Sequence, residues 1–584
     1  MKTEKKRLAF LLGGALAGLL FLAIYGVRIL DVTYDDWLFF GLNRKDLVQH
    51  YMGWVNFRKS PWHFPIGLTD GIIYPDRISV VYTDSIPYFA VFFKLLSPLL
   101  PKTFQYFGWY GLLCAILLGG FSARLICRMT EDVAYSLLTS LFFSVSVFFL
   151  IRTFWHTALA SQWIVVAALE IWLTLEQQQE DKKSAARWSG LSLMALLTEA
   201  YFLPMVWGIF LCSMLSHIIE NRGAKKAWRR LLTDVFFSAG VTLMAGAILG
   251  VFYGSVSVSD SLLGLVSFNY NGFINPQKYS SFFSGLPLYD NGQYEGYAYL
   301  GLGMSLLIIL SAVGALIRLK KRWVESDGEG RREMGLKALP YLLFFAGFIG
   351  FAGSPVITVG DHAIALPLPG FVYTLWSVFR STGRLIWPVC YFLMLFGCVG
   401  WYRMVQERSK ADPPGLGKRR IRYPRVLLFG VATAALGCQL LEESGYIIEL
   451  HKHYTADYEY ESALTDPAWE EIAEAYDHIM VYPPTIVVNL TPMADELMIF
   501  AQKHDMTMSA VYLARDITAP IDEKTMAYFD SGAYKEDEDT VYVFFGFVEP
   551  QGDYDLHYYE LEKDVVIGVK EPLATKGAKD EKVY

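Results

Sequence analysis

The sequence predicts a polytopic α-helical membrane protein of about eleven transmembrane helices, followed by a small C-terminal extracytoplasmic α/β domain. Three observations carry this. Apolar residues, 53% of the 584, fall in long blocks of membrane-spanning length. Short Lys/Arg-rich segments separate the blocks, and alternation of the spans puts all of these segments on one side. The chain then changes character: 442–584 carries a charge of about −21, against about +14 for 1–441. The basic residues sit at membrane flanks, which excludes a nucleic-acid partner. The six cysteines all lie in apolar blocks and read as packing thiols, with no spacing that suits zinc.

The N-terminus opens Met-Lys-Thr-Glu-Lys-Lys-Arg and continues apolar to about Leu30. That run exceeds the roughly 7–15 residues of a signal-peptide apolar region, so it reads as a first span with a cytoplasmic basic end. Further spans are expected over 104–126, 133–151, 157–175, 187–198, 202–219, 232–253, 299–317, 339–353, 384–404 and 424–441. Those over 187–198 and 339–353 are short for a full crossing. Lys182, Lys183 and Arg187, then Lys225 to Arg230, Arg318 to Lys337 and Lys418 to Arg425 all fall on the cytoplasmic side. This holds only if 86–100 lies at the interface or re-enters, and Lys94, Pro98 and Pro101 suit that. Facing away from the cytoplasm are a first loop, 31–103, a second, 254–298, and 442–584. The expected location is the bacterial cytoplasmic membrane.

In the C-terminal segment, Trp469 to Tyr476 reads as an amphipathic helix and His478 to Tyr482 as a strand ended by Pro483 and Pro484. Ile486 to Val488 is a short apolar run, and Asp495 to His504 is helical. Val541 to Phe545 is rich in β-formers, and Asp555 to Val569 holds two more strands. Asn489-Leu490-Thr491 matches a glycosylation sequon, a triplet too common to weigh.

The first loop carries most of the polar chemistry. It is far longer than the roughly 12–15 residues of an ordinary connection, and its aromatic content argues against disorder. Asp31, Asp35, Asp36, Asp46, Asp70, Asp76 and Asp84 lie on it, with Gln49, His50, Arg58 and His63. Helical spacing puts Asp46, Gln49 and His50 on one face, and a half-buried carboxylate there can act as a general base. Plainer readings compete. Asp46 can belong to a helix N-terminus and Asp84 can cap the 86–100 helix. Asp35 and Asp36 can be solvated flanking charges, and the two histidines ordinary interfacial side chains.

A second polar feature is Phe379-Arg380-Ser381-Thr382-Gly383-Arg384, at the outer mouth of a span. Arginine there is costly unless paired, and its planar fork suits a phosphate; snorkelling, or pairing with a loop carboxylate, is the alternative. Arg152, His156, Glu199 and Glu295 are expected on the same outer side.

On these residues the chain resembles a family of uncharacterised bacterial multipass membrane proteins. The motifs are DLVQHYMGWVNFR, PWHFPIG, YTDSIP, HTALASQW, YEGYAYLGLG and FRSTGRLIWP. More distantly, the layout is similar to the GT-C superfamily of polyprenyl-phosphate-sugar-dependent glycosyltransferases, with a first span, a long outer loop with interfacial helices, and an acidic residue in it. The resemblance implies a GT-C-like domain over 1–441 and an inverting transfer of sugar to a cell-envelope glycan or glycoconjugate. By position Asp46 is the counterpart of the acid, with Asp36 second.

On this reading Asp46 takes a proton from the acceptor hydroxyl, and Arg380 and Arg384 receive the departing lipid phosphate. Gln49, His50, Asp84, His156 and Glu295 contact substrate, and Trp54, Trp62 and Tyr82 stack on sugar rings. The expected partners are a lipid-linked sugar donor, a cell-envelope acceptor and membrane lipids. No cofactor is required, though the many carboxylates are compatible with a divalent metal such as Mg or Mn. Two other classes remain open: a non-catalytic transporter or flippase of a lipid-linked saccharide, and a structural membrane protein with an outer binding domain.

Overall fold

The structure is a computed structural model that describes residues 2–42, 44–174, 183–254, 262–411, 417–484, 492–513, 518–535, 537–545, 556–577 and 581–582. Among these, eight helices are long and apolar enough to cross a membrane. They are Thr3–Tyr25, Phe107–Thr130, Phe202–Glu220, Lys225–Leu249, Leu302–Glu325, Gly328–Gly353, Thr382–Glu407 and Pro424–Glu442. A ninth crossing arises if Val133–Val145 and Val147–Trp155, bent by 52° at Ser146, are one span. The protein is therefore a polytopic helical membrane protein.

The expected count of eleven is not reached by length. Helices Thr157–Leu173 and Ser184–Thr198 are shorter than a full apolar crossing, because about 30 Å of hydrocarbon needs about 20 residues at 1.5 Å each. Residues 339–353, expected to be short, are instead the apolar end of the 26-residue helix Gly328–Gly353. Pro87–Leu95 has 9 residues and ends in a 3-10 turn, Ser97–Leu99, so 86–100 is too short to cross.

The first helix packs along Phe107–Thr130 through small residues. A Cβ on Gly13 would stand 2.5 Å from that of Ala123, and one on Gly119 2.4 Å from that of Ala17. Small residues four apart on both helices let the backbones touch, as membrane helices require where no hydrophobic effect drives them together.

The two ends of the bundle differ. At one end Lys5 reaches the Glu131 carbonyl, and from this end starts helix Lys225–Leu249, whose first two turns hold Lys225, Arg229 and Arg230. Arg318 to Lys337 turn the hairpin between Leu302–Glu325 and Gly328–Gly353 here as well. At the other end the loops gather. Ser79 donates to the Leu249 carbonyl (2.8 Å), Thr382 to that of Ala352 (3.2 Å), and Ser280 and Tyr299 to the Glu442 carboxylate (2.9 and 2.8 Å).

On this loop end sits the C-terminal α/β unit. Helix Ala468–Ala475 leads into strand His478–Tyr482, which pairs in parallel with Thr507–Met508 and with Thr540–Phe545. The latter runs antiparallel to Val565–Val569, which pairs with His557–Glu562, with Glu581–Lys582 at the far edge. Central strand Thr540–Phe545 is buried throughout, as its unbroken apolar run demands. Helix Pro492–Lys503 covers the expected 495–504 helix. Residues 486–488 and 489–491 lie outside the described residues.

This unit docks on the first loop. Tyr74 donates its amide to the Met508 carbonyl (2.7 Å) and stacks on His478 at 3.9 Å. Arg44 pairs with Glu496, and Lys59 with Asp505.

Candidate functional site

A cavity of about 510 Å³ opens at the loop end of the bundle, between the first loop, the second loop and the C-terminal unit. Helix Arg44–Lys59 supplies Lys45, Asp46 and Gln49. The turn Val80–Thr83 and its neighbour supply Tyr82 and Asp84. His156 follows the bent helix, Glu199 and Tyr201 follow the helix Ser184–Thr198, and Glu295 lies within the 3-10 turn Asn291–Gly296. Arg380, Ser381 and Arg384 open the span Thr382–Glu407, and Tyr512 comes from the C-terminal unit.

Glu295 is the electrostatic hub. Arg384 donates to it twice, Nε to Oε2 at 2.7 Å and Nη2 to Oε1 at 2.9 Å, and Arg152 Nη2 donates to Oε2 at 2.7 Å. All three residues are buried. Burial raises a carboxyl, but the two guanidinium groups outweigh it and hold Glu295 well below the usual carboxylate range. The backbones permit this: a Cβ on Gly383 would lie 2.7 Å from the Gly296 amide nitrogen, so glycine lets the strands of chain bearing the pair come into contact.

His156 links this hub to Asp46. Its Nδ1 is 3.0 Å from Asp46 Oδ2 and its Nε2 3.4 Å from Glu295 Oε1. The second contact is an ion-pair distance without hydrogen-bond geometry, since Nε2 has no hydrogen-bond partner. Asp46 is only 4% exposed. Burial pushes its carboxyl up, but His156, by charge and hydrogen bond, and Lys45 outweigh that and hold it below the usual range.

On the opposite wall Asp84 hydrogen-bonds the Glu199 carboxyl, and burial together with Glu199 holds Asp84 well above the usual range. Asp84 has φ +52°, left-handed, which aims the side chain into the cavity instead of at the following helix. That helix begins at Ile86 without a side-chain cap, so the capping role read for Asp84 is not observed. His50 stands behind this wall, 3.9 Å from Asp84. It is fully buried with neither ring nitrogen hydrogen-bonded, and burial pushes it down to about 3, which leaves it neutral. It packs beside the cavity and does not line it.

Several expectations change. Asp36 does not reach the cavity: its Oδ1 accepts the Tyr460 amide at 3.1 Å, and Asp35 accepts the Tyr51 hydroxyl at 2.7 Å. Asp36 fastens the loop to the C-terminal segment and Asp35 to helix Arg44–Lys59 of the same loop, so neither is a free flanking charge and Asp36 lies away from the cavity that Asp46 lines. Arg384 has its fork filled by Glu295, so it is a paired arginine and not an open phosphate site. Trp54 is fully buried, its indole donating to the Phe104 carbonyl at 2.9 Å. Trp62 lies against Lys94, outside the cavity. Of the three proposed stacking rings only Tyr82 lines the cavity, held by a 2.6 Å bond from its hydroxyl to the Val251 carbonyl. His63 pairs with Asp70, which also binds Arg77, in a hairpin away from the cavity.

Lys45, Tyr201, Tyr294 and Tyr512 are cavity residues that sequence reasoning passed over. Lys45 was signalled by its place next to Asp46. Nothing local signals Tyr512, whose role depends on docking of a separate domain. Tyr201 accepts the Ser381 amide (2.7 Å) and its ring carries the Arg384 guanidinium at 4.6 Å. Among the described residues no group of three or more His, Cys, Asp or Glu is arranged to hold a metal ion.

A family model described as a domain of unknown function (DUF6311) matches residues 14–412, and a second, the DUF6311 C-terminal domain, matches 468–570. No curated protein matches the chain.

Proposed function

Since the chain belongs to the DUF6311 family, whose description carries no activity, we propose its function from the site: an inverting glycosyltransferase of GT-C type, using a polyprenyl-phosphate-linked sugar on the extracytoplasmic face of a bacterial cytoplasmic membrane. The observation that carries this reading is that Asp46 and Arg380, far apart in sequence, line one cavity at the end of the bundle opposite the basic segments. If the bent pair, 157–173 and 184–198 also cross, about eleven crossings keep those segments cytoplasmic and turn the cavity outward.

The acceptor hydroxyl, a component of the cell envelope, attacks the anomeric carbon from the side opposite the phosphate. One C–O bond forms and the bond to the phosphate oxygen breaks, with inversion. Asp46 takes the hydroxyl proton, and the electron pair leaves on the lipid phosphate, where Arg380 offsets the developing charge. Gln49 and Tyr82 flank the acceptor. Glu295, Arg152 and Arg384 form a fixed support that orients His156, which in turn positions Asp46. The step needs no metal, although the carboxylate-rich cavity does not exclude Mg or Mn as a phosphate counterion.

The test is Asp46→Asn, assayed for transfer of sugar from a lipid-linked donor to surface glycan. Loss of transfer in a stably folded variant is expected, and full activity would remove Asp46 from the role of base. The bend at Ser146, just ahead of the ionisable Arg152 and His156, is the one feature that favours a transporter, since broken helices mark transport sites. Translocation of lipid-linked saccharide in reconstituted vesicles without sugar transfer would replace the enzyme reading with that one.

A further inference from the structure

Lys45 and Arg380 are the two cations of the cavity that Glu295 does not engage. Among the described residues neither has a carboxylate at ion-pair distance. Both are instead held by one residue of the C-terminal unit. The Lys45 ammonium sits 3.7 Å from the centroid of the Tyr512 ring, and the Arg380 guanidinium faces the Tyr512 hydroxyl across the same cavity, near enough for the two to interact. Lys45 lies close enough to Arg380 and Asp46 to feel both charges, and burial pushes its amine down to about 8. Two half-buried cations facing one cavity, with a neutral phenol between them and no carboxylate in direct contact among the described residues, form a site for an anion left partly unfilled. A ring face and a hydroxyl return less than a charge-assisted hydrogen bond to phosphate does.

We propose that Lys45 and Arg380 together form the phosphate-binding subsite of this cavity, and that Tyr512 is a latch which the incoming phosphate displaces, so that occupancy is transmitted to the C-terminal unit. This rests on the transferase reading only for the source of the phosphate, a lipid headgroup. The subsite itself accepts any phosphate ester of fitting size. Displacement of Tyr512 frees a residue four positions beyond Met508, the last residue of strand Thr507–Met508, whose carbonyl receives the Tyr74 amide. Ligand binding is thereby coupled to the surface on which the unit docks.

The experiment uses the full-length protein in nanodiscs with a long-chain prenyl phosphate, the corresponding prenol, and inorganic phosphate as probes. The prenyl phosphate is expected to bind at least about tenfold tighter than the prenol, a difference of about 1.4 kcal/mol. Lys45→Ala and Arg380→Ala are each expected to remove most of that preference. Tyr512→Phe, which lacks the hydroxyl that Arg380 faces, is expected to bind the phosphate several-fold tighter.

Hydrogen exchange on the unaltered protein supplies a readout that no substitution can perturb. Amides at 505–513 are expected to exchange faster with prenyl phosphate than with prenol. Equal binding of prenyl phosphate and prenol overturns the subsite, and unchanged or slower exchange at 505–513 overturns the latch. Tight binding of inorganic phosphate with no added contribution from the prenyl chain assigns the subsite to a soluble phosphate ester. Phosphate binding without sugar transfer sinks the transferase reading and leaves the subsite standing.

Discussion

His156 Nδ1 lies 3.0 Å from the Asp46 carboxylate, and it is the largest of the influences that hold the buried Asp46 carboxyl down. Without the imidazole, burial prevails and the Asp46 carboxyl rises. His156→Gln is therefore expected to shift the acid limb of the pH dependence of kcat/KM to higher pH and to lower kcat by about 10²-fold. An acid limb that stays in place would show that His156 does not govern Asp46.

Arg384→Ala leaves Glu295 buried with Arg152 and the more distant His156 as its remaining partners. Removing one partner of a buried pair costs about 3–5 kcal/mol, read as a lowered unfolding midpoint in detergent. Arg77→Ala, at the exposed pair with Asp70 where the Arg77 side chain is 47% exposed, is expected to cost below about 1 kcal/mol. Similar losses at both sites would contradict the central place given to Glu295.

Gly383→Ala puts a methyl group 2.7 Å from the Gly296 amide nitrogen and 3.0 Å from the Val266 carbonyl. These are backbone atoms and cannot rotate away. The expected cost is about 1–3 kcal/mol, together with a loss of activity greater than the stability loss explains, because the substitution separates the chain segments that carry Glu295 and Arg384. Gly430→Ala, with open space around the Cβ position, serves as the neutral control.

Asp495, on helix Pro492–Lys503 beside the cavity, is pushed up by burial to about 6, partly offset by Arg44 and Lys45. Its folded value is above its unfolded one, so the folded state binds the proton more tightly. Its contribution is favourable at low pH and is lost as pH rises through about 6. Asp495→Asn is expected to raise the unfolding midpoint at pH 8 by an amount equivalent to roughly 3 kcal/mol, with the gain vanishing near pH 4. A gain of equal size at both pH values would assign the effect to something other than ionisation.

Much of the molecule was legible in one dimension. Hydropathy located the long spans. The shortness of the Pro87–Leu95 segment matches the interfacial placement that the charge rule demanded of 86–100. Period-two and period-3.6 patterns located helix Ala468–Ala475 and the strands at 478–482, 540–545, 557–562 and 565–569. The site was half legible. Asp46, Gln49, Asp84, His156, Glu295, Arg380 and Arg384 do meet at one cavity, because polar residues at span ends have few other places to go. Their partners were not legible. Arg384 was read as open to phosphate and is filled by Glu295, and Trp54 was read as a platform and is core.

The sequence by itself determined that this is a membrane protein, where its long helices lie, which of their ends are basic, and that an α/β unit follows, since apolar length, charge and periodicity are local properties of the chain. Only the tertiary structure decided that Glu295 joins Arg152 to Arg384, that Asp36 holds the Tyr460 backbone while Asp46 faces a cavity, and that Tyr512 covers Lys45 and Arg380. Those contacts join residues far apart in the chain, and the packing of whole helices and a docked domain selects them, which no local pattern encodes.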